Sequence, residues 1–357
     1  MIKFNKIALF TLTTGFSLMA FAGNEDRIGQ AGAQSLLINP WARTGGFGNA
    51  GTSNITGIES IYGNIAGTLH TRNMELGFSS TNWLVGSDIK LSAFGFVKKF
   101  DGDNGASALS IAATTINYGD ILVTTVEQPE GGLGNLRLSS SMVNFGYSKK
   151  FGNRIYTGMQ LKVVSEGVSN VRATGIAIDA GIQYWAGTND NLMLGVSFKN
   201  IGPKMKYSGD GLSFKTNTSS NSGYQATAES RTEGFDLPTV LHIGLAYRYD
   251  FDAQRNNSLL IAGDFMANAY GNDQITLGLE YKYKALLALR GAFVYEKGVF
   301  DASKAVTALS GPVGGISFNV PLGKKENEKR MNLAIDASYR ATNVYSGVYS
   351  LGGRLNF

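Results

Sequence analysis

Two histidines, His70 and His242, and no cysteine are all that this 357-residue chain offers for nucleophilic or general-base chemistry near neutral pH. A Cys/His dyad is therefore excluded, and a Ser-His-Asp site would have to be built on one of those two imidazoles. His242 falls on the polar side of an alternating segment and reads as a hydrogen-bonded filler, while His70 is placed to cap a turn. No HExxH, P-loop or calcium-loop spacing occurs. The run Gly45–Gly51 (GGFGNAG) superficially resembles a phosphate-binding loop, yet it follows no strand of a βαβ unit and lacks the lysine. The residues call for no catalysis, no cofactor and no metal.

Charge is the other chemistry on offer. Lys162, Asp179, Arg248, Glu280, Lys282, Arg290, Asp336, Arg340 and Arg354 all fall on the polar positions of otherwise apolar alternating segments. Charges turned away from water persist only when paired. Both signs are present, whereas a selectivity ring usually carries one. The expectation is a network inside a lumen that holds a plug.

Such a network needs strands to carry it. In Gln274–Tyr283, Ile275, Leu277, Leu279, Tyr281 and Tyr283 alternate with Thr276, Gly278, Glu280 and Lys282. Leu241–Tyr249 and Asn332–Arg340 repeat the pattern, and the chain ends on an amphipathic Ser346–Phe357 with a terminal aromatic. Fourteen such strands can be counted, near 73–81, 88–100, 106–118, 136–150, 154–166, 175–185, 191–201, 239–249, 258–266, 274–283, 286–296, 309–320, 332–340 and 346–357. Most have the roughly 9–11 residues that a tilted membrane strand requires. Even-to-odd connections are all short and the long ones are all odd-to-even, the asymmetry between periplasmic turns and extracellular loops. The fold class expected is an all-β, 14-stranded antiparallel transmembrane barrel of the outer membrane.

Around the barrel the chain divides simply. Residues 1–22 read as a cleaved secretory signal peptide, with Lys3 and Lys6 before an apolar stretch and Ala20-Phe21-Ala22 as cleavage site. Its removal leaves 30 basic against 27 acidic residues, a net charge of +3 too mild for a nucleic-acid partner. Residues 23–72 have no long alternation but too many apolar residues for a disordered tail, and read as a hatch or plug. Residues 73–357 form the barrel. Its longest loop, about 202–238, sets Met205, Tyr207, Phe214, Tyr224 and Phe235 among Ser, Thr, Asn and Gly, the composition of a protein-binding surface.

The runs Ala31–Asn54, Ile116–Gly132 and Leu194–Tyr207 resemble the PorV/PorQ family of outer-membrane barrels, within the wider group similar to the fatty-acid transporter FadL. The resemblance covers the mature chain and departs from it at Asn64-Ile65-Ala66-Gly67, where many relatives have proline second. It implies a Bacteroidetes host and a part in type IX protein secretion. There such a barrel takes secreted cargo by its carboxy-terminal signal domain at the translocon and passes it to the surface attachment complex. Outer-membrane lipid would surround it. The alternative is a FadL-like transporter of hydrophobic small molecules, with a pocket lined by hatch residues such as Leu36, Leu37, Trp41 and Phe47.

Overall fold

The computed structural model describes residues 25–102, 105–217, 225–252, 254, 256–301, 307–322, 331–342 and 345–357, so the expected signal peptide lies outside it. Fourteen antiparallel strands run in chain order as β1 (Met74–Trp83), β2 (Ile89–Phe100), β3 (Ser107–Leu122), β4 (Asn135–Phe151), β5 (Ile155–Val168), β6 (Val171–Ala186) and β7 (Leu192–Ile201). They continue as β8 (Val240–Asp250), β9 (Ser258–Asn268), β10 (Gln274–Tyr283), β11 (Leu287–Glu296), β12 (Gly311–Leu322), β13 (Met331–Arg340) and β14 (Val348–Asn356). Each pairs with its neighbours, and β1 closes on β14 from Glu75↔Asn356 to Asn82↔Tyr349. Closure leaves no free edge in the wall, as hydrocarbon demands.

The two faces are chemically inverted relative to a water-soluble barrel. Phe78, Leu277 and Leu351 stand outward at 54%, 63% and 60% exposure, while Lys162, Gln183 and Asp336 are buried inside. Exposing such a band to water would forfeit about 25 cal/mol for each Å² of apolar surface, so this band faces lipid. Aromatic contacts mark its rims. Tyr249, Phe251 and Tyr281 meet at the end with short turns, and Tyr339 meets Tyr349 at the end with long loops. The turn end is periplasmic and the loop end extracellular.

The N-terminal segment fills the lumen. It consists of short helices of one or two turns at Glu25–Arg27, Gln34–Leu37, Ala42–Gly45, Ile58–Ile61 and Ile65–His70, joined by turns. Trp41, Ile58, Ile61, Ile65 and Leu69 form one buried cluster against Ala93, Val97, Ala108 and Ala112 of the wall. The wall makes room with glycine. A Cβ on Gly195 would lie 2.4 Å from the Thr52 carbonyl oxygen, and one on Gly181 would lie 2.1 Å from Asn64 Oδ1. The segment enters near the loops, where Gly32 donates to the Asp236 carbonyl (3.0 Å), and leaves at the turn end through Thr71.

The 202–238 loop is more ordered at its base than its composition suggests. Met205 and Phe235 exchange backbone hydrogen bonds of 3.0 and 2.9 Å, and Tyr207–Ser208 adds to β6. Beyond them Ser213–Asn217 and Gln225–Glu229 form a separate exposed hairpin.

Candidate functional site

Two features set what this molecule does with its lumen: how the hatch is seated, and the space left above it.

On the β6–β7 side the seat is neutral. Asn64 Oδ1 caps the Ile65–His70 turn by accepting the Ala66 N–H at 3.2 Å. Its Nδ2 lies 2.9 Å from the Thr52 carbonyl oxygen, 3.0 Å from that of Ile182 and 3.3 Å from that of Val196. Gln183 Nε2 donates to the Thr52 and Ile55 carbonyls, Gln160 Nε2 to that of Ile61, and Ser197 Oγ to that of Gly63. Side-chain amides thus satisfy hatch carbonyls that have no helix or sheet to satisfy them.

On the opposite side the seat is charged. Arg354 of β14 forks onto Asp336 of β13 (2.7 and 3.1 Å) and lies 3.8 Å from Glu59 of the hatch and 3.7 Å from Glu75 of β1. Glu59 in turn accepts the Thr44 N–H (2.8 Å) and the Arg43 N–H (3.3 Å), capping the Ala42–Gly45 turn. The chain continues through Ser317, which donates to Asp336, and Arg290, which donates to Ser317 (2.6 Å) and to Glu280. One side chain from each of six consecutive strands, β10 to β14 and β1, therefore builds a single belt.

The expected lumen network is thus several groups. Glu280, Arg290, Asp336 and Arg354 come together as described. Asp179 is elsewhere, paired with Lys162 at 2.6 Å. Arg340 donates to the Leu309 carbonyl at the loop end. Arg248 bonds Asp250 at the periplasmic rim. Lys282 pairs with Glu280 of the belt at 3.3 Å, from the end of β10 where the strand leaves the lumen and its side chain is 47% exposed. His70 does not cap a turn but stacks on Trp185 at 3.8 Å, and His242 meets Asp264 at 2.8 Å. The loop aromatics divide as well. Met205 is buried with Ala33, Leu36 and Leu237, and Tyr207 and Phe235 pack against that cluster, so they are not displayed. Phe214 is half exposed on the hairpin, and Tyr224 lies outside the described residues. Loop composition cannot separate these roles, because an aromatic that holds a loop down and one that meets a partner sit among the same polar residues.

Above the hatch lies a cavity of about 520 Å³. Ile28, Leu37 and Ile38 of the N-terminal segment floor it, and Val240, Met266 and Tyr270 line the wall, with Lys199, His242, Gln274 and Glu296 among the polar groups. Its size is that of a small-molecule site, and its lining mixes apolar surface with amide and charged side chains. Sequence reasoning placed a pocket at Leu36, Trp41 and Phe47, but these are core residues, and of that set Leu37 alone borders this cavity. A second recess of about 600 Å³ faces outward over Leu109, Phe145 and Met159 within the apolar band, where lipid covers it.

This architecture is similar to that of several solved outer-membrane barrels. The toluene transporter TodX of Pseudomonas putida aligns at a TM-score of 0.52 and 14% identity, over 89% of this chain and 97% of that one. The CymD monoaromatic hydrocarbon channel aligns at 0.53 and 13%, over 90% and 97%. A Pseudomonas aeruginosa FadL homologue aligns at 0.52 and 11%, over 88% and 98%. No protein-family model and no curated protein matches the chain. At this identity the likeness shows the fold alone: a closed 14-stranded antiparallel barrel like those of these outer-membrane proteins.

Proposed function

We propose that this protein binds a small, largely apolar molecule from outside the cell in the cavity between its N-terminal segment and the wall, and passes it inward past the hatch. The observation that carries the reading is that cavity, at the extracellular end and walled by the hatch itself. The kinship of fold with hydrocarbon channels supports it. The test is saturable binding of N-phenyl-1-naphthylamine to the purified barrel, read by fluorescence. Filling the cavity with Val240→Trp and Met266→Trp together should weaken binding at least tenfold. Unchanged affinity in the filled variant would sink the assignment.

A second reading keeps the secretion role that the sequence runs suggest. Its specific support is outside the membrane: Phe214 on the exposed hairpin, and Ile121, Leu122, Val126 and Leu133 exposed around the β3–β4 tip. Water-exposed apolar residues of this density suit protein partners, here a type IX translocon barrel, cargo signal domains or the attachment complex. Replacing residues 213–229 by two glycines spares the packed base of the loop. In native outer membranes that deletion should abolish recovery of secreted proteins with the tagged barrel; undiminished recovery removes the hairpin from the role.

A further inference from the structure

The cavity contains two buried charges of opposite sign, neither of which has an ionic partner. Lys199 is 3% exposed, and among the described residues no carboxylate lies within ion-pair distance of its ammonium; the Tyr62 ring does lie against it, 4.0 Å away. Glu296 is also 3% exposed and accepts from Gln274 (2.8 Å) and Asn272 (3.2 Å), both neutral amides. Elsewhere in this lumen cations and anions meet directly, as at Lys162–Asp179 and Arg354–Asp336. Buried charges without counter-charge are costly; Arg340 is another, held by the Leu309 carbonyl, but Lys199 and Glu296 both line this cavity.

The strand irregularity beside Lys199 adds a second polar group to the lumen. The β6–β7 register slips between Ile178↔Ile201 and Ala180↔Phe198, so β7 carries one extra residue there. Lys199 follows Met193 and Ser197 on the inward positions, and the bulge turns Asn200 inward as well; it is held by the Asp179 carboxylate, which accepts the Asn200 N–H at 2.8 Å. Without it, alternation would send Asn200 into lipid. Bulges re-aim side chains in this way.

Lys199 and Glu296 face each other across the cavity. Lys199 is on β7 beside Val240, and Glu296 is on β11 beside Gln274. Four strand intervals separate them, roughly 19 Å around the wall. Val240, Met266 and Tyr270 lie along the path between them.

We infer that the ligand of this cavity is amphoteric: an anionic group at one end for Lys199, a cationic group at the other for Glu296, and an apolar middle. Short apolar peptides and ω-amino acids have this chemistry; a neutral hydrocarbon uses neither charge, and a simple fatty acid leaves Glu296 facing it unpaired. The inference rests on the cavity being the ligand site proposed above.

A matched series tests both separately. Isothermal titration calorimetry on the full chain in lipid nanodiscs, with empty nanodiscs subtracted, compares octan-1-ol, octanoate, octylammonium and 8-aminooctanoate. The last has its charges about 10 Å apart when extended. It should bind at least tenfold more tightly than any of the others. Lys199→Met should reduce its affinity to that of octylammonium, and Glu296→Gln to that of octanoate. If octan-1-ol binds and 8-aminooctanoate is no tighter, the amphoteric inference fails and the cavity reading stands. If none of the four binds, both fall. The wild-type series decides without either variant.

Discussion

Asn64 and Arg354 hold the same hatch from opposite sides of the barrel, with different chemistry. Asn64 and its companions Gln160, Gln183 and Ser197 are neutral, and each donates to a backbone carbonyl. Exchanging such a bond for one to water costs about 1 kcal/mol net. Arg354 instead sits among Asp336, Glu59 and Glu75, all buried. Removing one member there strands charges that water cannot reach. The belt also links six strands to one another, whereas the amide seat links the hatch to β5–β7. The charged seat therefore belongs to the barrel as much as to the hatch, and the amide seat to the hatch alone.

The sharpest way to break that distinction is Arg354→Met. It leaves Asp336, Glu59 and Glu75 without their shared cation and should cost about 3–5 kcal/mol of global stability. Unfolding in urea from lipid vesicles would show it, and a loss below about 1 kcal/mol would mean the belt is decorative. Asn64→Leu should cost less, about 1–3 kcal/mol, and the loss should be local. Amide hydrogen exchange in Ile65–His70 should accelerate at least tenfold while the β9–β11 amides stay as they are. If both variants loosen the whole barrel equally, the two seats are one unit. Gly195→Ala should act on the amide side only, because its Cβ would lie 2.4 Å from the Thr52 carbonyl oxygen. Displacing that backbone costs about 1–3 kcal/mol, whereas Gly291→Ala, with open space around it, should cost less than 0.5 kcal/mol.

Most of the wall was legible in the sequence because a membrane strand repeats every two residues, and all fourteen strands lie where alternation puts them. The differences are at ends and irregularities. β3 runs to Leu122 rather than about Tyr118, and β6 starts at Val171 rather than about Gly175, because both continue beyond the membrane, where alternation is relaxed. The Lys199–Asn200 bulge breaks the period within one strand, so no pattern could assign both residues inward. Inward charges could be identified as inward, but which of them pair depends on register and on the hatch. Glu59 and Arg43 were missed for that reason: they sit in a segment with no period at all. The available signal was the glycine at mid-strand inward positions, such as Gly181, Gly195 and Gly278, which marks a wall pressed closely against a plug rather than around water.

The last expected effect concerns where the hatch leaves the barrel. His70 stacks on Trp185 at 3.8 Å and tilts against Tyr156 at 4.3 Å, with Nε2 3.2 Å from Gln183 Oε1. Burial in this aromatic slot lowers its pKa from the usual 6.5 to about 3; the Gln183 contact opposes the shift, and Lys99 and Lys150 add to it. A group whose folded pKa is depressed in this way is neutral in both states above pH 6.5, so it adds no pH dependence there. Between pH 6.5 and 3 the released hatch takes up a proton that the seated hatch does not. Seating should therefore weaken as pH falls through that window, by at most about 1.4 kcal/mol per pH unit. Because this ring packs beside Trp185, whose Nε1 donates to the Ser53 carbonyl at 3.2 Å, the loss should appear first on the amide side. Exchange in Ile65–His70 should quicken from pH 6.5 to 5.5, after correction for intrinsic rates, and His70→Phe should flatten that dependence while keeping the stack. An unchanged slope in His70→Phe would assign the titration to the carboxylates of the belt, and with it the more easily released side of the hatch.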